Sequence, residues 1–84
     1  MTRTDVTYGQ LDKTLRSLGF SCQPSKGELP TRVYEHETGA SFLIPPFPET
    51  DFVLDYHLLA ARTMVDLFGV TDPKLFDAQV RTAA

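Results

Sequence analysis

Cysteine is nearly absent from this chain: Cys22 is the only one in 84 residues. A disulfide framework is therefore excluded, and a lone thiol suits a reducing compartment. No basic stretch leads into an apolar run near the N-terminus, so no signal peptide is expected and the expected location is the cytoplasm. Long hydrophobic runs are missing as well. The longest mostly apolar stretch, Phe52 to Val70, is broken by Asp55, His57, Arg62 and Asp66, whereas a membrane-spanning helix needs about 20 largely uncharged residues. Metal spacings such as Cys-x-x-Cys or His-Glu-x-x-His do not occur, and two histidines are too few and too scattered for a metal site. Ser25-Lys26-Gly27 has one glycine and no Lys-Ser or Lys-Thr pair after it, so a phosphate-binding loop is not supported. Neither a metal nor a small-molecule cofactor is expected.

Basic charge is also scarce. The net charge is −3, and the basic residues Arg3, Lys13, Arg16, Lys26, Arg32, Arg62, Lys74 and Arg81 are scattered. A nucleic-acid binder usually carries a basic footprint, because phosphate neutralisation dominates its affinity. The global balance argues against RNA, although folding could gather Arg16, Lys26 and Arg32 into a local RNA-binding patch.

What is present is enough for one domain. The hydrophobic fraction of 42% is that of a globular chain. Residues 1–6 are polar and expected to fray. Thr7 and Gln10 have capping-box spacing, with Val6 and Leu11 placed for a hydrophobic staple. Tyr8, Leu11, Leu15 and Leu18 then form one apolar stripe, and Gly19 stands where a left-handed cap is wanted, so the spacing predicts a helix over 8–18. Phe20 to Gln23 alternates as a short strand. Pro24-Ser25-Lys26-Gly27 signals a turn, and Pro30 limits the next strand to Thr31–His36. Glu37-Thr38-Gly39 reads as a hairpin connection to a third strand over 40–44. Pro45, Pro46 and Pro48 make a stiff connector. A second helix is expected from Phe52 to Phe68, opened by Thr50 or Asp51 and closed by Gly69. Leu54, Leu58, Ala61, Val65 and Phe68 form its stripe, widened by Leu59 and Met64, which implies deep burial or a second surface for a partner. Asp72-Pro73 opens a short C-terminal helix over about 72–82, with Leu75, Phe76 and Val80 as its contacts. The expected fold is α+β: an α-β-β-β-α core over about 7–69, with a three-stranded antiparallel sheet covered by helices on one face.

Few residues carry chemistry. Alternation puts His36 at the end of the second strand on the face of Arg32 and Tyr34, a set that could do acid–base work on a phosphodiester. The plainer alternative is that Tyr34 packs and His36 ends a strand at the surface. His57, early in the second helix, is a possible partner for His36, or else a partly buried, hydrogen-bonded helix histidine. Cys22 alternates with Phe20 and reads as a small buried hydrophobe rather than a nucleophile.

Leu15-Arg16-Ser17-Leu18-Gly19-Phe20, then Val33-Tyr34-Glu35-His36, then Phe42-Leu43-Ile44-Pro45 resemble the HicA family of ribonuclease toxins. These are small αβββα proteins related to double-stranded-RNA-binding domains, and the likeness covers roughly residues 7 to 69. It implies that fold and raises RNA cleavage as an activity. In the family a Gly-Ser-His type motif before the second strand supplies the catalytic histidine; here that stretch is Glu28-Leu29-Pro30-Thr31-Arg32. His36 matches a second, non-catalytic family histidine. The expectation is thus a HicA-like module, non-catalytic, that binds a protein partner or a second copy through its second helix or a sheet edge. The alternatives are a ribonuclease toxin with a centre relocated to His36, His57, Tyr34 or Arg32, and an RNA-binding domain without cleavage.

Overall fold

The computed structural model describes residues 2–24, 31–45 and 47–83. In chain order its elements are β1 (Arg3–Thr7), α1 (Tyr8–Ser17), β2 (Ser21–Pro24), β3 (Arg32–Glu35), β4 (Ser41–Ile44), β5 (Phe52–Leu54), α2 (Asp55–Leu67) and α3 (Pro73–Thr82). The expected turn at Ser25, Lys26 and Gly27, the strand limit at Pro30, and Pro46 lie outside the described residues.

Local signals set α1. The Thr7 hydroxyl accepts from the Gln10 N–H and the Gln10 side chain accepts from the Thr7 N–H, a reciprocal capping box. Gly19 ends the helix at φ +99°, and the Gly19 and Phe20 N–H groups return to the Arg16 and Leu15 carbonyls. The three following strands pair in the order β2-β3-β4, both pairs antiparallel. Their connection from β3 to β4 closes with Gly39 at φ +98°, the conformation a side chain would oppose.

Register decides which face is covered. Cys22, Tyr34 and Phe42 lie abreast on one face, as do Arg32 and Ile44. α1 packs along β2 and α2 along β4 on that side. The other face carries Ser21, Gln23, Glu35, Ser41 and Leu43, all exposed. The fold is thus α+β with the three-stranded sheet covered by helices on one side. α3 begins at an Asp72 cap followed by Pro73, as the sequence predicts. Its Phe76 and Val80 are fully buried against α1 and α2, each burial stabilising by roughly 1.5–3 kcal/mol.

Three expectations are corrected. Arg3–Thr7, expected to be largely frayed, form a strand: β1 pairs antiparallel with β5, with Arg3 beside Leu54 and Thr7 beside Phe52. Threonine and valine favour an extended, half-buried chain, and Val6 and Val53 are completely buried at this seam. Consequently α2 starts at Asp55 rather than Phe52, because Phe52-Val53-Leu54 is already extended and the Asp55 N–H donates to the Thr2 carbonyl. Finally, Leu75, expected as a contact of the C-terminal helix, is 63% exposed, and Phe68, expected in the α2 stripe, is 41% exposed.

Candidate functional site

The strand alternation holds for Tyr34 and His36, yet their polar atoms diverge. Both belong to one aromatic row: His36 lies 4.9 Å from Phe20, Phe20 5.8 Å from Phe42, and Phe42 5.5 Å from Tyr34. Tyr34 is buried, and its hydroxyl donates to Asp12 Oδ1 at 2.6 Å. Burial, reinforced by the Asp12 carboxylate, pushes the phenol pKa well up.

Asp12 also receives Arg16 Nε at 3.1 and 3.0 Å, an i,i+4 pair on α1. Arg32, a tentative RNA contact like Arg16, pairs with Glu49 at 3.7 Å. Folding therefore draws Arg16, Arg32 and Tyr34 toward Asp12, but it matches each arginine with a carboxylate. Lys26 lies outside the described residues. Cys22 stands opposite Tyr34 in the register, part-buried against the core as a small hydrophobe would be.

His36 fastens the hairpin to the end of α1. The Thr38 N–H donates to Nδ1 at 3.2 Å, and the Thr38 hydroxyl lies 2.9 Å from the same atom. Because Nδ1 accepts, Nε2 carries the proton of the neutral ring and donates to the Leu18 carbonyl at 3.1 Å. Gly19 leaves room for this contact, since a Cβ there would stand 3.2 Å from Nε2. Both ring nitrogens are engaged within the fold.

His57 belongs to a different cluster. It is 8% exposed, and its Nδ1 lies 2.8 Å from the Tyr8 hydroxyl. The Leu54 N–H donates to that hydroxyl oxygen at 3.3 Å, which leaves the phenol hydrogen available to Nδ1. Tyr8 stacks on Phe47 at 4.9 Å, Tyr56 lies 4.2 Å from the imidazole, and the Arg3 guanidinium sits 5.5 Å from the Phe47 ring. Burial lowers the His57 pKa and raises that of Tyr8. The two histidines share no partner, and no group of metal ligands occurs among the described residues. Asp12, Tyr8 and Phe47 were not singled out from sequence. The i,i+4 spacing of Asp12 and Arg16 is a signal that finds Asp12, whereas Tyr8 shows only as one member of an apolar stripe.

The outward side of α2 presents something else. His57, Leu58, Ala61 and Val65 are buried, while Tyr56, Leu59, Ala60, Thr63 and Leu67 on the opposite side are exposed, Leu67 by 72%. No helix among the described residues is long and apolar enough to cross a membrane. Comparison with protein-family models, curated proteins and solved structures finds no match to this chain.

Proposed function

We propose that this chain is a HicA-like interaction module that does not cleave RNA, acting through protein contacts in a cytoplasmic toxin-antitoxin-like or larger assembly. The outward face of α2 carries this reading. Tyr56, Leu59 and Leu67 stay in solvent although the helix already seats its other side in the core, and several large apolar side chains left exposed on one helix face favour a contact surface. The histidines support the non-catalytic half, because a general base needs a free ring nitrogen within reach of substrate. His36 spends both nitrogens on Leu18 and Thr38, and His57 holds Tyr8 in a mostly buried cluster. The test is incubation of the protein, in excess, with labelled single-stranded and hairpin RNA. Intact RNA is expected; cleavage that disappears in His36→Gln or His57→Gln overturns the reading.

RNA binding without cleavage is the second reading, favoured by the approach of Arg16 and Arg32 to the Asp12–Tyr34 pair. It requires affinity that falls steeply with salt and weakens in Arg16→Gln. Absence of salt dependence removes it.

A further inference from the structure

One edge of the α2 stripe is acidic and opens into a groove. Its volume is ≈ 430 Å³, and Thr4, Asp55, Leu58, Leu59, Arg62 and Asp77 line it. Leu59 therefore serves both as part of the stripe and as a wall of the groove. The one cation lining it is already matched, since Arg62 Nε donates to Asp77 Oδ2 at 3.1 Å. Asp55 has no ion pair among the described residues, and neither does the exposed Asp66. At about 100° per residue, Asp55, Arg62 and Asp66 fall on the same side of α2, next to Leu59. Arg62 is engaged by Asp77, which among the described residues leaves the two carboxylates as the unpaired charges of this edge. Ala60 and Met64 form the opposite, uncharged edge.

We infer that this face takes a cationic amphipathic helix, with apolar side chains along Tyr56, Leu59, Thr63 and Leu67 and lysines or arginines along the Asp55–Asp66 edge. The inference rests on the interaction-module reading and names the chemistry of its partner. Helix-on-groove recognition needs such a stripe for affinity and a charged rim for orientation. A second copy of the chain fits less well. Antiparallel two-fold packing of α2 on itself puts like edges together, so Asp55 of one copy meets Asp66 of the other. Parallel packing sets the acidic edge against the uncharged one. Either way the carboxylates remain unmatched, whereas a basic helix neutralises them.

The probe is a helical peptide of leucine and lysine, as long as α2 and patterned amphipathically, compared with its leucine–glutamate counterpart. Titration into isotope-labelled protein should shift the amide signals of Asp55, Tyr56, Leu59, Thr63, Leu67 and Asp77 for the lysine peptide alone. Affinity should fall about tenfold in Leu59→Ser and in Leu67→Ser, about threefold in Asp55→Asn, and further as salt is added. These side chains face solvent, so unchanged melting curves will show that the variants still fold. Equal affinity for both peptides, shifts centred elsewhere, or no binding at all overturns the inference. Self-association abolished by Leu67→Ser assigns the face to a second copy; it defeats the cationic helix while leaving the interaction-module reading intact. The RNA assay tests that underlying reading separately.

Discussion

The two histidine clusters, at the β3–β4 hairpin and at the β1–β5 seam, use the same side chain for different physical ends. At the hairpin, His36 is a clasp: one nitrogen takes Thr38, the other gives to Leu18, and the ring lies on Phe20. Its partners are close in sequence or end a neighbouring helix, and its contacts with Thr38 are exposed to water. At the seam, His57 is a mostly buried residue whose partner, the Tyr8 hydroxyl, also accepts from the N–H of Leu54 at the N-cap of α2. α2 has no side-chain cap of its own, so this borrowed hydroxyl does the work of one. A hydrogen bond on the surface is exchanged with water at little cost, while the same bond in the core leaves groups stranded when it goes.

The largest expected effect tests that contrast at the seam. Tyr8→Phe keeps the ring stacked on Phe47 but removes the oxygen that meets both Leu54 N–H and His57 Nδ1. Two polar groups lose their partner, and destabilisation of about 2–4 kcal/mol is expected in chemical denaturation. Next comes Gly19→Ala at the hairpin, expected to cost about 1–2 kcal/mol because φ is +99° and the new Cβ meets His36 Nε2. Adding His36→Ala should return part of that loss, as only the contact and not the backbone conformation is relieved. If Gly19→Ala proves costlier than Tyr8→Phe, the hairpin rather than the seam is the rigid end.

The same contrast explains what could be read in the sequence. The cap at Thr7, the Gly19 and Gly39 turns and the Asp72-Pro73 start are short-range devices, and each is legible from a few adjacent residues. The β1–β5 seam is not, because Thr4 and Val53 meet across 49 residues and a polar N-terminus gives no sign of its partner. Tyr8 shows itself only as one member of an apolar stripe; nothing local announces His57. Alternation correctly sets Tyr34 and His36 on one side of the sheet but does not say where a hydroxyl or imidazole will find its bond. The width of the α2 stripe is visible in composition, whereas its division into a buried and an exposed side needs the position of the sheet.

Acid should separate the clusters further, with an effect below that of Gly19→Ala. Burial holds the His57 pKa below its ordinary value of 6.5. The unfolded chain therefore binds the proton more readily than the folded one, and stability falls as pH drops below about 6.5 and levels off below the folded pKa. Replacing the imidazole by His57→Gln should flatten that part of the stability profile, measured as denaturation midpoint against pH. A slope that survives the substitution places its origin elsewhere.

The smallest effect belongs to Thr38→Ala, and it is the sharpest test of the clasp. The hydroxyl is exposed, lies 2.9 Å from His36 Nδ1 and takes the Ala40 N–H only at 3.5 Å. Its loss still leaves the Thr38 backbone N–H on Nδ1 and the Leu18 carbonyl on Nε2, so the ring keeps its tautomer and its seat on Phe20. A cost of about 0.5 kcal/mol or less is expected, since water can replace an exposed hydroxyl. Hydrogen exchange at Gly39, whose N–H closes the hairpin on the His36 carbonyl, should quicken more than exchange at Leu54 in the seam. Equal acceleration at both amides would mean that the two clusters open as one unit, and the clasp would then be part of the core rather than an ornament of its edge.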